Sequence, residues 1–195
     1  MLKIGITGGI GSGKTTVCKI FEMLGVPVYY ADEESKKILV TDKNVKAAIL
    51  KTFGKDILND ENNIDRQKLA TLVFNDKQKL ESLNSIVHPA VNEHFKNWLK
   101  KYSFQKYILK EAAILFESGA YKAVDKVIAV VAPVELKIDH AMKRDKITRE
   151  QVLQRIANQA KDSYIIKHSQ FVIHNDEEQL LIPQVIAVHK QLMQL

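Results

Sequence analysis

Cysteine is nearly absent from this chain, since Cys18 is the only one among 195 residues. A single cysteine excludes an internal disulfide and a zinc site built from cysteines, and it favours a reducing compartment. Long apolar segments are also missing: the longest run, Val127 to Val134, has eight residues, whereas a membrane span needs about 20. The N-terminus enters a strand-like segment without a signal-peptide pattern. We therefore expect a cytoplasmic protein with no membrane partner.

Glycine and proline are scarce as well, with 8 and 4 residues, and this excludes a mainly disordered chain. The remaining composition is that of a folded domain, with 46% apolar and 27% charged residues. The net charge of +6 favours anionic partners, either phosphorylated metabolites or nucleic acid. Composition alone does not decide between these two classes.

Five short apolar segments, separated by helical patterns, predict a parallel sheet with helices on both faces. They are residues 3–7, 26–30, 107–109, 126–131 and 171–173. A helix from about Lys14 to Leu24 follows the first segment, and Gly25 stands where a helix commonly ends. The predicted fold class is therefore α/β, with a three-layer core.

Two stretches exceed what such a sheet requires. Residues 32–102 show only the helical period and predict an inserted helical subdomain. Pro89 within it predicts a kink or break near His88. Residues 133–160 are rich in lysine and arginine and predict two basic helices, the second starting with a capping box at Thr148. The core then consists of residues 1–31, 103–132 and 161–195.

The segment from Gly8 to Thr15 reads GGIGSGKT and matches the complete phosphate-loop pattern Gly-x4-Gly-Lys-Thr, between a predicted strand and a helix. Its glycines allow backbone amides to point at phosphate oxygens, and the helix adds its positive end. We expect Lys14 to reach the β- and γ-phosphates of ATP and the Thr15 hydroxyl to bind Mg²⁺. The expected nucleotide-binding residues are Gly9, Ile10, Gly11, Ser12, Gly13, Lys14, Thr15 and Thr16. A glycine-rich turn without a ligand is the alternative.

A phosphate loop does not by itself distinguish a kinase from a GTPase, a motor or a DNA-dependent ATPase. The chain has no Asn-Lys-x-Asp for guanine, and its nearest match to an apolar strand ending in aspartate ends in Glu111 instead. A helical insert and an arginine-containing lid are typical of small-molecule kinases. The combination favours that class.

Asp32 and Arg144 are the strongest candidates for catalysis outside the loop. Asp32 directly follows the second strand, and ligands bind at the carboxyl ends of parallel strands. There a carboxylate can accept the proton of an attacking hydroxyl, although Asp32 as a helix cap is the alternative. Arg144 in the basic segment suits a transferring phosphoryl group, and a solvated basic helix is its alternative.

Three further residues are weaker candidates for binding the acceptor. Arg66 could contact an acceptor phosphate or lie on the surface, and His88 could bind phosphate or stabilise a kink. Glu117 could face the crevice because it follows a strand end.

Taken together, these residues are similar to those of the dephospho-CoA kinase family over nearly the whole chain. The matching elements are Thr7 to Lys14, Ala31-Asp32, Asp65-Arg66 with Leu69, His88-Pro89-Ala90-Val91, Leu115-Phe116-Glu117, Arg144-Asp145, Arg155 to Gln159 and Phe171 to Asn175. The family resemblance implies ATP-dependent phosphorylation of the ribose 3′-hydroxyl of dephospho-CoA. It also implies Asp32 as the base, Lys14 and Arg144 as phosphate clamps, a CoA-binding insert and a lid. The sequence does not identify the residues that contact the adenine, and Asn175 is our candidate for that contact.

Several residues depart from the family pattern. Tyr30 replaces an aspartate, Glu111 and Ala113 replace an aspartate and a proline, and His140 replaces a lid arginine. The base and the loop are intact, so the resemblance still implies the activity.

Two rival functions stay open at this point. The first is a P-loop kinase of another small alcohol or nucleotide, against which the insert size and the His-Pro element argue. The second is a nucleotide-dependent nucleic-acid-binding protein, which would show a basic stripe with interleaved aromatics. Only Tyr164 and Phe171 lie near the basic segment in sequence, so we expect ATP and dephospho-CoA as partners and no nucleic acid. The sequence leaves the oligomeric state open.

Overall fold

The computed structural model describes residues 1–74 and 76–195, and within them the chain forms five strands and nine α-helices. A short 3₁₀ helix, Ala120–Ala123, adds to these. In chain order the elements are β1 (Leu2–Thr7), α1 (Lys14–Met23), β2 (Val28–Tyr30), α2 (Ala31–Thr41), α3 (Lys43–Phe53), α4 (Arg66–Phe74), α5 (Lys77–Lys101), β3 (Tyr107–Glu111), β4 (Lys126–Val131), α6 (Val134–Asp145), α7 (Arg149–Ala157), α8 (Asp162–Lys167), β5 (Phe171–His174) and α9 (Leu181–Met193).

The five strands form one parallel sheet in the order β2-β3-β1-β4-β5. This confirms the α/β fold class predicted from the apolar segments. Each predicted strand agrees with the observed bounds to within two residues. Differences of two residues occur at the start of β2 and at the end of β3. At the start of β2, Pro27 has no amide hydrogen to donate, and its carbonyl alone bonds to Leu109 N at 2.9 Å. β1 is the central strand, so the loop that follows it leaves from the middle of the sheet.

The chain divides into two compact units, the first comprising Met1–Tyr30 and Tyr102–Leu195 and the second Ala31–Lys101. In the first unit, α1 and α9 pack on one face of the sheet. Their apolar residues meet those of the strands in a single core cluster, whose fully buried members include Ile4, Ile6, Val17, Phe21, Leu109, Ile128, Val130, Ile173 and Val185. Leu115 packs on the opposite face against Gly5. Gly25, which follows the C-cap of α1, has a left-handed φ of +81°, as its predicted place at the helix end requires.

The second unit contains helices α2 to α5 around its own apolar core. Ile49 is fully buried there, and its neighbours in the core include Ile38, Val45, Leu69 and Val87. The expected break at Pro89 does not occur, since α5 continues through it from Lys77 to Lys101. Pro89 leaves the carbonyl of Ser85 without its helical donor, but Val87 is buried in this core, so packing keeps the helix intact.

The basic segment forms α6 and α7, which end and begin on either side of Lys146, as predicted. Lys146 has a left-handed φ of +53° and ends α6. The capping box at the start of α7 is present: Thr148 Oγ1 accepts from Gln151 N, and Gln151 Oε1 accepts from Thr148 N. Among the described residues no helix is both long enough and apolar enough to span a membrane.

Candidate active site

The phosphate loop connects β1 to α1 at the carboxyl end of the central strand. Gly13 is the N-cap residue of α1, with φ +90°, and contributes no side-chain cap to the first helical amides. Amides in the first turn of a helix have no partner within the helix. They are therefore available to an anion, and the positive end of the helix dipole adds to the attraction.

Three neighbouring elements enclose the loop so tightly that three of its four glycines have no room for a side chain. A Cβ at Gly8 would lie 2.1 Å from Val130 O, at the end of β4. At Gly13 it would lie 2.3 Å from Asn175 Nδ2, just beyond β5. Gly11 has φ +76°, and its Cβ would lie 2.0 Å from the carbonyl oxygen of residue 137 on α6. The shape of the loop is thus set by β4, β5 and α6 together.

Two side chains within the loop fit a phosphate ligand. Lys14 is only 8% exposed, and its Nζ donates to Gly8 O at 2.8 Å and to Gly9 O at 3.1 Å. Ser12 is fully buried, and its Oγ has no hydrogen-bond partner within the described structure. A buried hydroxyl without a partner is costly unless a ligand satisfies it. Thr15 and Thr16 are exposed in the first turn of α1.

The segment containing α6 and α7 also holds the loop from outside. Ile10 N donates to Gln159 Oε1 at 2.8 Å, and Ile10 packs in a small apolar cluster with Ile138, Ala141 and Val152. His140 Nδ1 lies 3.0 Å from Gly11 O, which can only accept, so this nitrogen carries the proton. Sequence reasoning noted His140 only as a departure from the family pattern and assigned Gln159 no role of its own.

Arg144 is exposed at the end of α6, where Asp145 holds its guanidinium. Its Nε donates to Asp145 Oδ1 at 2.7 Å and its second amino group to Oδ2 at 3.0 Å. Arg155 reaches the same carboxylate at 3.1 Å. The hydrogen bond from Arg144 lowers the pKa of Asp145, and in return Asp145 raises the pKa of Arg144. The negative charge of buried Glu111 raises the pKa of Arg144 further.

Two predicted binding residues have hydrogen bonds around the loop. Asn175 Nδ2 donates to Ser12 O at 3.1 Å, so its amide steadies the backbone of the loop itself. Glu117 Oε1 accepts from Ala160 N at 2.6 Å, which ties the end of the basic segment to the chain that follows β3.

Tyr30, which stands in place of the first family aspartate, ends β2. Burial raises the pKa of its phenol, and the nearby Cys18 and a hydrogen bond with Glu22 raise it further. Tyr30 is therefore a neutral donor at this position, whereas an aspartate would be an anion.

Asp32, Arg66 and His88 lie in the second unit. α2 begins at Ala31, so Asp32 lies in its first turn, where a carboxylate also favours the positive end of the helix dipole. Arg66 is the exposed first residue of α4, next to Asp65, whose Oδ1 accepts from Gln67 N at 2.8 Å. His88 is exposed in the middle of α5.

Comparison with known proteins shows which family has a similar sequence and fold. Residues 2–180 match the model of the dephospho-CoA kinase family. The dephospho-CoA kinase of Bacteroides fragilis is 41% identical over 187 residues, covering 96% of this chain and 91% of that protein. A solved Thermus thermophilus structure superposes with a TM-score of 0.86 at 28% identity, over 99% of this chain and 96% of that one. The solved dephospho-CoA kinase of Campylobacter jejuni has a TM-score of 0.72 and 27% identity, over 98% and 97% of the two chains.

Proposed function

The chain belongs to the dephospho-CoA kinase family, and from that premise we propose which of its residues carry out the reaction. The protein catalyses the ATP-dependent phosphorylation of the ribose 3′-hydroxyl of dephospho-CoA, which yields CoA and ADP in the last step of CoA biosynthesis. The observation that carries the residue assignment is the phosphate loop, where a buried lysine and a buried hydroxyl without a hydrogen-bond partner lie beside the first turn of α1, whose amides have no side-chain cap.

Lys14 is the proposed clamp on the transferring phosphate. Its ammonium donates to the carbonyls of Gly8 and Gly9, within the same loop that is proposed to receive the phosphates. When ATP binds, the ammonium exchanges these carbonyls for phosphate oxygens and stabilises the charge that develops in the transition state. Residues Gly9 to Thr16 contribute amides and hydroxyls to the same ligand, and Asn175 supports them through Ser12.

Mg²⁺ bound with ATP would be held by the Thr15 hydroxyl and by phosphate oxygens, and would supply positive charge to the transferring group. The described residues contain no cluster of three or more His, Cys, Asp or Glu side chains suited to a metal. The donor set nevertheless fits Mg²⁺, which usually needs only one or two protein ligands beside substrate phosphates and water.

Asp32 is the proposed general base. It lies two residues after Tyr30, the last residue of β2, and ligands bind beyond the carboxyl ends of parallel strands. The ribose 3′-oxygen attacks the γ-phosphorus while its proton passes to the Asp32 carboxylate. The bond between the γ-phosphorus and the bridging oxygen breaks, and ADP leaves.

The remaining assignments complete the proposal. Residues 32–102, with Arg66 and His88 among them, bind the acceptor, and residues 133–160 form the lid. Arg144 and Glu117 face the substrates, and Arg144 must then leave Asp145 to contact a phosphoryl group. We also propose a cytoplasmic location, because the single cysteine, Cys18, is a buried free thiol.

A coupled ADP-release assay tests the function directly. We expect turnover with dephospho-CoA and little or none with adenosine or shikimate as the acceptor. Equal rates with all three would contradict the acceptor assignment.

The variant Asp32→Asn tests the base, because asparagine keeps the shape of the side chain but cannot accept the proton effectively. A general base contributes about 10²–10⁴-fold, and we expect turnover to fall by about that factor while ATP affinity and thermal stability change little. Partial recovery at high Mg²⁺ would instead indicate that Asp32 holds the metal through water. Unchanged turnover would remove Asp32 from the mechanism.

A further inference from the structure

Lys137 is a buried lysine on α6 that no part of the phosphate-loop motif includes. It is 3% exposed, and its Nζ forms an ion pair with the carboxylate of Asp162, the first residue of α8. The Asp162 side chain is partly exposed, at 30%, so the cation is the buried partner of this pair. Burying a charge is costly even when it is paired, and an apolar side chain of similar size would fill the same space at lower cost.

The position of Lys137 against the loop gives a reason for that cost. A Cβ at Gly9 would lie 3.2 Å from Lys137 Nζ, 3.5 Å from its Cδ and 3.6 Å from its Cε, so the end of the side chain lies along this glycine. The backbone carbonyl oxygen of Lys137 is closer still to Gly11, since it would lie 2.0 Å from a Cβ there. One residue of α6 therefore supports the loop at two glycines.

Gly9 is also where the loop meets Lys14. The carbonyls of Gly8 and Gly9 hold the Lys14 ammonium in the free protein, and Ser12 N donates to Gly9 O at 3.1 Å. Any displacement of Gly9 would therefore change both the position of the Lys14 ammonium and the turn that directs the following amides.

We propose that Lys137 is a positioning residue of the phosphate loop, and that Asp162 holds its ammonium in the place where it supports Gly9. This inference rests on the proposed role of the loop as the ATP site. It assigns Lys137 no contact with the phosphates themselves. Its effect reaches the nucleotide through the conformation of the loop.

The test compares Lys137→Met, Asp162→Asn and the double variant with the wild-type protein. Methionine keeps most of the packing volume and removes the ion pair, and asparagine removes the charge of the partner. Lys167→Met, at an exposed lysine on α8, the helix of Asp162, is the matched control. The readouts are ADP affinity by calorimetry, thermal unfolding without ligand, and separate KM values for ATP and dephospho-CoA.

We expect each single variant to weaken ADP binding by about fivefold or more, which is about 1 kcal/mol. KM for ATP should rise in parallel, while KM for dephospho-CoA stays within about twofold. The double variant should be about as weak as the weaker single variant, because breaking the pair from either side removes the same support and such effects are not additive. The control should bind ADP as the wild type does.

Wild-type ADP affinity in folded Lys137→Met would overturn the proposal. A loss of thermal stability without a loss of ADP affinity would mean that Lys137 has a structural role only. Equal rises of KM for both substrates would also overturn it. If Lys137→Met does not fold, Asp162→Asn decides alone, and unchanged ADP affinity in it counts against the proposal. Failure of the proposed function is distinguishable, because the wild type would then bind ADP without phosphorylating dephospho-CoA.

Discussion

Replacing Lys14 with alanine should reduce both the stability of the protein and its turnover, for two different reasons. In the free protein its ammonium donates to the carbonyls of Gly8 and Gly9, and the residue is 8% exposed. In the reacting complex, on the proposed mechanism, the same ammonium contacts the transferring phosphate. Lys14→Ala therefore removes support from the loop before ATP binds and removes positive charge from the transition state afterwards.

The stability effect should be modest. A hydrogen bond to a charged group contributes about 1.5–3 kcal/mol, so two such bonds set an upper limit of about 3–6 kcal/mol. Water can reach the loop carbonyls once the side chain is gone, and alanine favours the helix that starts here, so we expect a loss of about 1–2 kcal/mol. A domain is stable by about 5–15 kcal/mol, and the variant should remain folded. The loss of turnover should be about a hundredfold or more, as for other transition-state charge contacts.

Urea unfolding and the coupled ADP-release assay measure the two effects separately. Lys14→Met, which keeps the aliphatic chain, should lose turnover as severely as Lys14→Ala. Lys19→Ala, at an exposed lysine on the same helix, should change neither quantity. Near-normal turnover in folded Lys14→Ala would refute the ATP site. A free energy of unfolding equal to that of Lys19→Ala would refute the support of the loop by Lys14.

Three further predictions concern the surroundings of the loop. Gly13→Ala should be destabilising and should raise KM for ATP, because the new Cβ would lie 2.3 Å from Asn175 Nδ2 at a residue with φ +90°. The control is Gly25→Ala, which has φ +81° and open space around it and so measures the left-handed backbone strain alone. Equal losses of stability in the two variants would contradict a steric clash with Asn175. Asp145 has a lowered pKa, so its ion pairs stabilise the protein above the ordinary aspartate pKa of about 3.9 and lose this effect as the pH falls through the folded value. The Tm of Asp145→Asn should therefore be below that of the wild type at neutral pH, and the two should converge as the pH falls through the lowered pKa of Asp145; a difference in Tm that does not change with pH would contradict this sign. Amide exchange in residues 133–160 should slow when ATP and dephospho-CoA bind together, most strongly around residues 143–149, most of which are exposed. Unchanged exchange would contradict a mobile lid.

Local signals in the sequence account for most of what could be predicted of the fold. The strands are short, almost wholly apolar segments, and the capping box at Thr148 and Gln151 needs only residues three apart. Pro89 predicts a kink or a break near His88, and the break does not occur because the apolar core around Val87 holds α5 continuous. Where one face of a helix is buried, tertiary packing stabilises the helix more than the conformational preference of a single residue destabilises it.

Site residues could be predicted from the sequence where the functional groups lie in one continuous motif. Lys14 and its glycines follow from the phosphate-loop pattern, and the family resemblance points to Asn175. The partners that hold the loop do not follow from any such pattern. Gln159 is 149 residues from Ile10, and no local sequence pattern around either residue predicts their hydrogen bond. Lys137 appeared only as one member of a basic run, whereas the structure buries it beside Gly9.

Gly11 shows how the two kinds of information combine. The general phosphate-loop pattern requires glycine at positions 8 and 13 and leaves residue 11 open, so the pattern does not explain this glycine. The structure does, since Gly11 has φ +76° and the carbonyl of Lys137 occupies the space of a Cβ. Ile10, also open in the pattern, is buried in the apolar cluster of α6 and α7. Contacts with the basic helices thus explain Ile10 and Gly11, which the motif leaves open, and the phosphate loop packs directly against the segment proposed as the lid.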